Sequence, residues 1–404
     1  MTDVATSAEL AARAAYGRLV AALAARWRDV ARAEDAFGDA LLAALETWPR
    51  TGVPDTPEAW LLTVARRRLV DGARRAKVTT AAEADLTLML EERADNGAAA
   101  LPDHRLALLF VCAHPAIDEA ARTPLMLQTV LGLDAARIAS AFLVAPAAMS
   151  QRLVRVKTRI REAGIRFEIP ESDELAARVD AVLQAIYAAY GSGWEDVAGA
   201  DPRRRGLAEE AIWLGRLVTR LLPDAPEAQG LLALMLYCEA RRGARRDDRG
   251  AYVPLAEQDV ARWSRSMVDE AEEILGAAAH SKTPGRFQLE AAIQSVHAQR
   301  MRTGTTDWES VALLYKGLLR HAPTIGARVA HAAALGEARG AAAGLTALGT
   351  IGPDGIATYQ PYWALRGHLL KALDRTSEAR EAYERAIGLS EDAAVRAFLL
   401  GRCA

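Results

Sequence analysis

The segment that decides the fold runs from residue 33 to residue 71 and reads AEDAFGDALLAALETWPRTGVPDTPEAWLLTVARRRLVD. Its first part repeats apolar residues at helical spacing: Ala33, Phe37, Ala40, Leu41, Ala44 and Leu45. Three prolines and a glycine follow between Trp48 and Pro57, and such a stretch is not expected to form regular helix. Thr56 suits the N-cap and Pro57 the first position of a new helix that runs to about Ala76. The segment therefore predicts two helices joined by an irregular loop.

The composition of the whole chain extends this helical character. Of the 404 residues, 51% are hydrophobic and 6% are aromatic, and no alternating runs of β-branched residues appear. A chain of this length has room for roughly two to four domains. The sequence thus predicts an all-α protein with more than one domain.

The cysteines and the N-terminus indicate where the protein works. Cys112, Cys238 and Cys403 are far apart and odd in number, which supports neither a disulfide framework nor a metal site. The N-terminus lacks a basic-then-apolar signal, and no apolar run reaches the ~18 residues that a membrane span needs. We therefore expect a reduced, cytoplasmic protein with no membrane association, no metal and no cofactor.

Charge is distributed unevenly, although the net charge is only −2. One basic cluster comprises Arg66, Arg67, Arg68, Arg74, Arg75 and Lys77, and a second comprises Arg152, Arg155, Lys157, Arg159, Arg161 and Arg166. Between them, the stretch from residue 81 to residue 103 carries six acids and one arginine. The pattern predicts two basic helices joined by an acidic connector.

The second basic cluster belongs to a predicted helix-turn-helix. A short helix from Asp134 to Ala141 precedes a brief turn, and Pro146 opens a longer helix that ends near Gly164. The expected packed seam consists of Leu133, Ile138, Ala139, Met149 and Leu153. The side chains expected to face DNA are Ser150, Gln151, Arg152, Arg155 and Lys157.

From about Asp173 onward the sequence predicts paired amphipathic helices. Small and aromatic residues recur at spacings of four and three: Ala379, Tyr383 and Ala386, then Val311, Tyr315 and Leu318, then Ala211, Gly215 and Val218. This spacing is typical of tetratricopeptide repeats, whose concave faces bind peptides or proteins. Candidate groove residues are Trp263, Gln288, His297 and Trp308, with buried helix contacts as the alternative interpretation.

Residues 33–71 closely resemble region 2 of the extracytoplasmic-function sigma factors of bacterial RNA polymerase, and residues 133–153 resemble their region 4. The resemblance implies that Glu34, Asp35, Phe37 and Asp39 contact the polymerase. It also implies that the promoter −10 element is bound by Trp48, Arg50, Asp55, Arg66, Arg67, Arg74 and Arg75. Many relatives carry Asn where this chain has Arg67, so their −10 base preference does not transfer. Region 4 would read the −35 element.

The resemblance extends into the C-terminal half. Residues 257–263 and 285–298 resemble stretches of a sigma-factor subgroup with a tetratricopeptide-like extension, and Cys112-Ala113-His114-Pro115 resembles its Cys-Cys-His-Pro motif. The implied domains are region 2 at 1–77, an acidic linker at 78–103, region 4 at 104–169 and the extension at 170–404. In such proteins the linker threads the polymerase cleft.

We therefore expect a sigma factor that binds core RNA polymerase and promoter DNA and carries a regulatory C-terminal extension. The sequence lacks a Gly-rich phosphate loop, a paired His/carboxylate motif and a GxSxG elbow, so catalysis is not expected. Alternatives are a tetratricopeptide-type scaffold with degenerate sigma domains and, third, an all-α enzyme. On charge alone, each basic helix could also be a solvated face and the connector an ordinary linker.

Overall fold

A computed structural model describes residues 2–76, 103–142, 144–194, 202–282, 284–353 and 355–403. These residues form helices joined by turns and short 3₁₀ segments, and no β-strand occurs among them. The expected all-α fold is confirmed. The chain divides into two compact units, the first comprising residues up to 194 together with 202–211, and the second comprising residues 212–403.

The first unit begins with three packed helices, α1 (Thr2–Trp27), α2 (Val30–Thr51) and α3 (Pro57–Ala76). The Asp29 carboxylate caps α2 by accepting a hydrogen bond from the Arg32 backbone N–H, as an N-cap residue does. The expectation that helix stops at Trp48 is wrong, because α2 continues through Pro49 to Thr51 and is capped by Gly52, whose φ is +84°. Trp48 is 1% exposed, and its burial holds this last turn in place despite the proline.

The same unit continues with α4 (Arg105–Cys112), α5 (Glu119–Thr129), α6 (Ala135–Ala141), α7 (Pro146–Glu162) and α8 (Ser172–Trp194). Helix α1 packs on α4 and α5. At this contact a Cβ on Gly17 would lie 2.1 Å from the Val130 carbonyl oxygen, so only glycine allows the approach. The helices on either side of the acidic connector therefore form one compact body. The connector itself lies outside the described residues, apart from Asp103.

Helix α8 also belongs to the first unit. The Thr123 hydroxyl of α5 donates a 2.9 Å hydrogen bond to the Ala185 carbonyl of α8, and both residues are buried. Helix α9 (Pro202–Leu221) follows, and its residues up to Ala211 belong to this unit as well. The sequence boundary proposed at 169/170 thus falls inside a packed body.

The second unit is built from helical hairpins. Its helices are α10 (Pro226–Ala240), α11 (Arg265–Ala278), α12 (Arg286–Ala298), α13 (Arg300–Thr303), α14 (Trp308–Leu318), α15 (Ile325–Arg339), α16 (Ala341–Gly349), α17 (Gln360–Lys371), α18 (Thr376–Leu389) and α19 (Ala393–Cys403). The pairs α10 with α11, α15 with α16, and α17 with α18 pack closely. In the last pair Gly367 lies against the Tyr383 ring, where a Cβ would approach within 2.9 Å. These contacts fit the predicted interlock of small and aromatic residues, while the tetratricopeptide assignment stays a prediction.

Candidate nucleic-acid interface

Helix α2 divides the predicted polymerase-binding residues between two faces. Phe37 is 4% exposed and meets the Tyr16 ring edge-to-face at 5.1 Å, so it belongs to the core. Asp35 and Asp39 are exposed, and they share a face with Leu42, which is 61% exposed. The surface that α2 offers to a partner is therefore acidic with an apolar centre. Leu42 was not identified from the sequence, although its position one turn from Asp39 could have indicated it.

Glu34 points inward and links α2 to α7. Its carboxylate pairs with the Lys157 ammonium of α7, and it accepts a hydrogen bond from the Tyr16 hydroxyl at 3.3 Å. The Glu34 and Lys157 side chains are only 14% and 10% exposed. Burial raises the pKa of Glu34, and Lys157 acts in the opposite direction by stabilising the charged carboxylate.

A second ion pair joins the same helices. The Arg161 guanidinium lies 3.7 Å from the buried Asp29 carboxylate, which also caps α2. The structure therefore brings together Glu34 and Lys157, which the sequence assigned to different partners, and adds Tyr16, Asp29 and Arg161. The sequence gives no signal for this docking, because the paired residues lie more than a hundred positions apart.

The loop between α2 and α3 carries part of the predicted −10 site. Arg50 and Asp55 are exposed at its ends, and Arg67 is exposed on α3. Arg66 is half-buried, and Arg74 and Arg75 follow it along α3. Trp48 lies beneath the loop instead, in edge-to-face contact with Trp60 at 5.4 Å. Trp48 thus supports the loop and offers no surface for a base.

Helices α6 and α7 form the predicted helix-turn-helix seam. The Asp134 carboxylate caps α6 by accepting from the Arg137 backbone N–H at 2.8 Å. All five expected seam residues are buried, with exposures of 8% or less: Leu133, Ile138, Ala139, Met149 and Leu153. The turn between the helices is held by a 2.9 Å hydrogen bond from the Val144 N–H to the Ala139 carbonyl.

The outer face of α7 differs from the predicted one in two positions. Ser150, Gln151 and Arg155 are exposed, as a DNA-reading face requires. Arg152 is half-buried at the edge of this face, and Lys157 is turned toward Glu34. The exposed face can therefore offer a hydroxyl, an amide and a guanidinium to base edges. Lys157 is not part of this face, because it pairs with Glu34.

The Cys112 motif has the environment of a packing residue. Cys112 is fully buried, contacts the Thr129 hydroxyl at 3.3 Å, and its pKa is raised to about 12 by burial. The His114 Nδ1 accepts a hydrogen bond from the Ala116 N–H at 3.1 Å. In the part of the chain that the structure describes, no three His, Cys, Asp or Glu side chains are placed to hold a metal ion.

The residues proposed to line a groove in the extension make internal contacts. Gln288 is buried and donates from both its backbone N–H and its side-chain amide to Glu227. Trp263 is buried beneath the Arg300 guanidinium, which lies 5.2 Å from the ring centre. His297 is buried and meets the half-buried Trp308 ring at 5.3 Å. These placements favour the alternative interpretation, in which the four residues are helix contacts.

His297 makes the stability of the second unit pH-dependent. Burial, followed by the nearby charges of Arg241 and Arg300, lowers its pKa from 6.5 to about 4. Between pH 6.5 and about pH 4, His297 binds a proton in the unfolded chain but not in the folded chain. The free energy of unfolding should therefore fall as pH drops through this window, by up to about 3 kcal/mol.

Urea unfolding at pH 7 and pH 5 tests this, with His297→Phe keeping the ring contact to Trp308. We expect the variant to lose most of the difference between the two pH values. The same change at the exposed His280 serves as the control. Equal pH dependence in the wild type and His297→Phe would contradict the assignment.

Comparison with known proteins adds an independent finding. Residues 13–79 match the sigma-70 region 2 family, and residues 178–279 match a family of unknown function, DUF6596. An uncharacterised protein of Rhizobium meliloti (strain 1021) is 40% identical over 397 residues, which cover 97% of this chain and 94% of that protein. No solved structure matches the chain. In the part that the structure describes, no helix is both long and apolar enough to cross a membrane.

Proposed function

We infer that this protein binds core RNA polymerase and directs it to promoters. The chain belongs to the family of the Rhizobium meliloti protein and contains a sigma-70 region 2. One observation carries the proposal: the region 2 match covers most of α1 and all of α2 and α3, and α2 and α3 carry both exposed acids and exposed cations. The finer assignment, an extracytoplasmic-function sigma factor with a tetratricopeptide-like extension that works in the cytoplasm, is part of the same proposal. The polymerase supplies the chemistry.

Polymerase binding is assigned to the exposed face of α2. This face combines two exposed charges, Asp35 and Asp39, with the exposed apolar side chain of Leu42. The charges can select a partner of complementary charge, and Leu42 can be buried against it. Phe37 contributes by fixing α2 in the core. Glu34 becomes available to the polymerase only when Lys157 leaves it.

The −10 element is assigned to the loop after α2 and to the basic face of α3. A promoter base taken out of the stack needs an irregular pocket, and the strand beside it needs cations. Arg50, Asp55 and Arg67 are exposed at this loop and helix. Arg66, Arg74 and Arg75, which follow along α3, are assigned to the same strand, although the side chains of Arg74 and Arg75 lie outside the described residues. Trp48 holds the loop from below.

The −35 element is assigned to α7, whose first turns would enter the major groove. The two elements lie about 25 base pairs apart, which is about 85 Å of duplex. The Glu34–Lys157 contact cannot persist when both regions are on DNA. In this proposal the compact first unit is the free state, and region 4 detaches from α2 when the holoenzyme forms.

Arg155 should contribute to promoter affinity without contributing to the fold. Replacing this exposed residue by Ala is expected to weaken promoter binding by the holoenzyme about tenfold and to reduce the steepness of the salt dependence. Binding titrations at several salt concentrations measure both effects. Arg166→Ala, which removes an exposed cation beyond the end of α7, is the matched control. Unchanged affinity in Arg155→Ala would place the recognition face elsewhere.

Co-purification with core polymerase and run-off transcription from genomic fragments test the proposed function. We expect a stoichiometric complex and transcripts that depend on the added protein. Absence of polymerase binding would overturn the proposal and favour the scaffold alternative. Truncation after the first unit would then show whether the extension raises or lowers transcription, since we propose that it regulates activity.

A further inference from the structure

The exposed face of α7 carries one large apolar side chain, Val154. Val154 is 62% exposed within the whole chain, although its neighbour Leu153 is buried at 2%. It lies three residues after Gln151 and next to Arg155, and both of these are exposed. Side chains three residues apart are neighbours on a helix surface, so Val154 lies beside the Gln151 amide on the exposed side of α7.

The position of Val154 indicates a role that packing does not explain. The buried side of α7 is complete without it, because Met149, Leu153 and Ile160 already fill the contact with the rest of the first unit. A branched apolar side chain exposed at this point gains stability only when a partner covers it. The partner of this face, if α7 is a recognition helix, is the floor of the major groove.

Only one base offers an apolar group in that groove. Thymine presents a C5-methyl group there, whereas the other bases present hydrogen-bond donors and acceptors. Gln151 and Arg155 have the polar side chains that pair with adenine and guanine. Val154 has no polar atom and suits the methyl group alone.

We propose that Val154 is a specificity-determining residue, which selects thymine within the −35 element through contact with the C5-methyl group. The proposal rests on the proposed function, since it assumes that α7 enters the major groove. It goes beyond that function by naming one residue and one base. Uracil is the appropriate probe, because it pairs like thymine and lacks only the methyl group.

The experiment begins with the full-length protein in complex with core polymerase. Duplexes bound by this holoenzyme are selected from a library with a randomised region, and the selected promoter is resynthesised with deoxyuridine at each −35 thymine in turn. For the wild-type protein we expect one substitution to weaken binding about fourfold, the value of one buried methyl group. Val154→Ala should bind thymine and uracil at that position equally.

Two further variants separate methyl recognition from general loss of affinity. Val154→Ile retains a branched apolar side chain and should keep the preference for thymine over uracil. Gln151→Ala should lower affinity for the whole promoter yet leave that preference unchanged, which makes it the matched control on the same face. Circular dichroism and melting temperature confirm that each variant folds.

The outcomes distinguish this inference from the proposed function. If no duplex is selected and no polymerase complex forms, the proposed function fails, and Val154 has no DNA partner. If the wild-type holoenzyme selects a promoter, the inference alone is at risk. It is overturned if uracil substitution has no effect at any −35 thymine, or if Val154→Ala keeps the wild-type preference.

Discussion

Replacing Lys157 by Glu is expected to separate α7 from α2 in the free protein. The substitution places a second carboxylate against Glu34, whose side chain is 14% exposed and has Lys157 as its cation partner in the structure. Breaking a buried ion pair in this way costs about 3–5 kcal/mol, which is enough to depopulate the packed arrangement. We therefore expect region 4 to leave region 2 while each keeps its own helical core.

The separation can be measured as a distance. Spin labels at Glu46→Cys and Glu162→Cys report on exposed positions of α2 and α7, with Cys403 replaced by Ser and the buried Cys112 and Cys238 left in place. We expect one short, narrow distance in the parent protein and a longer, broad distribution in Lys157→Glu. Because the distance is measured in the free protein, the result does not depend on any contact that Lys157 makes with DNA.

Two controls make this result specific. Arg159→Glu imposes the same charge change on an exposed residue of the same helix and should leave the distance unchanged. Combining Lys157→Glu with Glu34→Lys restores opposite charges and should return the short distance. If Lys157→Glu alone keeps the parent distribution, the ion pair does not hold the two regions together.

Reversing the exposed face of α2 should abolish polymerase binding. The double variant Asp39→Arg, Leu42→Glu replaces an exposed acid by a cation and replaces the exposed apolar side chain by a charged one. Central interface residues of this kind cost 2 kcal/mol or more each, so we expect affinity for core polymerase to fall at least about 100-fold. Neither side chain is in the core, and the melting temperature should change little.

Affinity measured by titration with labelled core polymerase tests this prediction. Asp180→Arg, at an exposed acid on α8, is the control for net charge, because it shifts the charge in the same direction as the double variant and by a larger amount. Wild-type affinity in the double variant would show that the polymerase contacts another face. A loss of affinity in Asp180→Arg as well would show that net charge, and not the α2 face, governs binding.

The helices and the helix-turn-helix seam could be predicted because each depends on local spacing. Met149 and Leu153 are buried where the period of α7 places them, and Ile138 is buried against them from α6. The same reasoning placed Ser150 and Arg155 on the outer face. A helix has only one apolar side, so the pattern determines both faces at once.

The remaining features depend on tertiary packing that no local pattern encodes. The sequence predicts that Trp48 is an exposed loop residue beside a proline, yet the fold buries it beneath that loop. Glu34 and Lys157 lie 123 positions apart, and each belongs to a charge cluster most of whose other members are exposed. Which member of a cluster is buried depends on the docking of α7 on α2.

Permanganate footprinting of the holoenzyme on a selected promoter tests most directly whether region 2 and region 4 act together on DNA. We predict that unpaired, reactive thymines appear in the −10 element only when this protein is added to core polymerase, and that the Arg155→Ala variant reduces their yield. A promoter that stays fully paired with a stable polymerase complex bound to it would contradict the account.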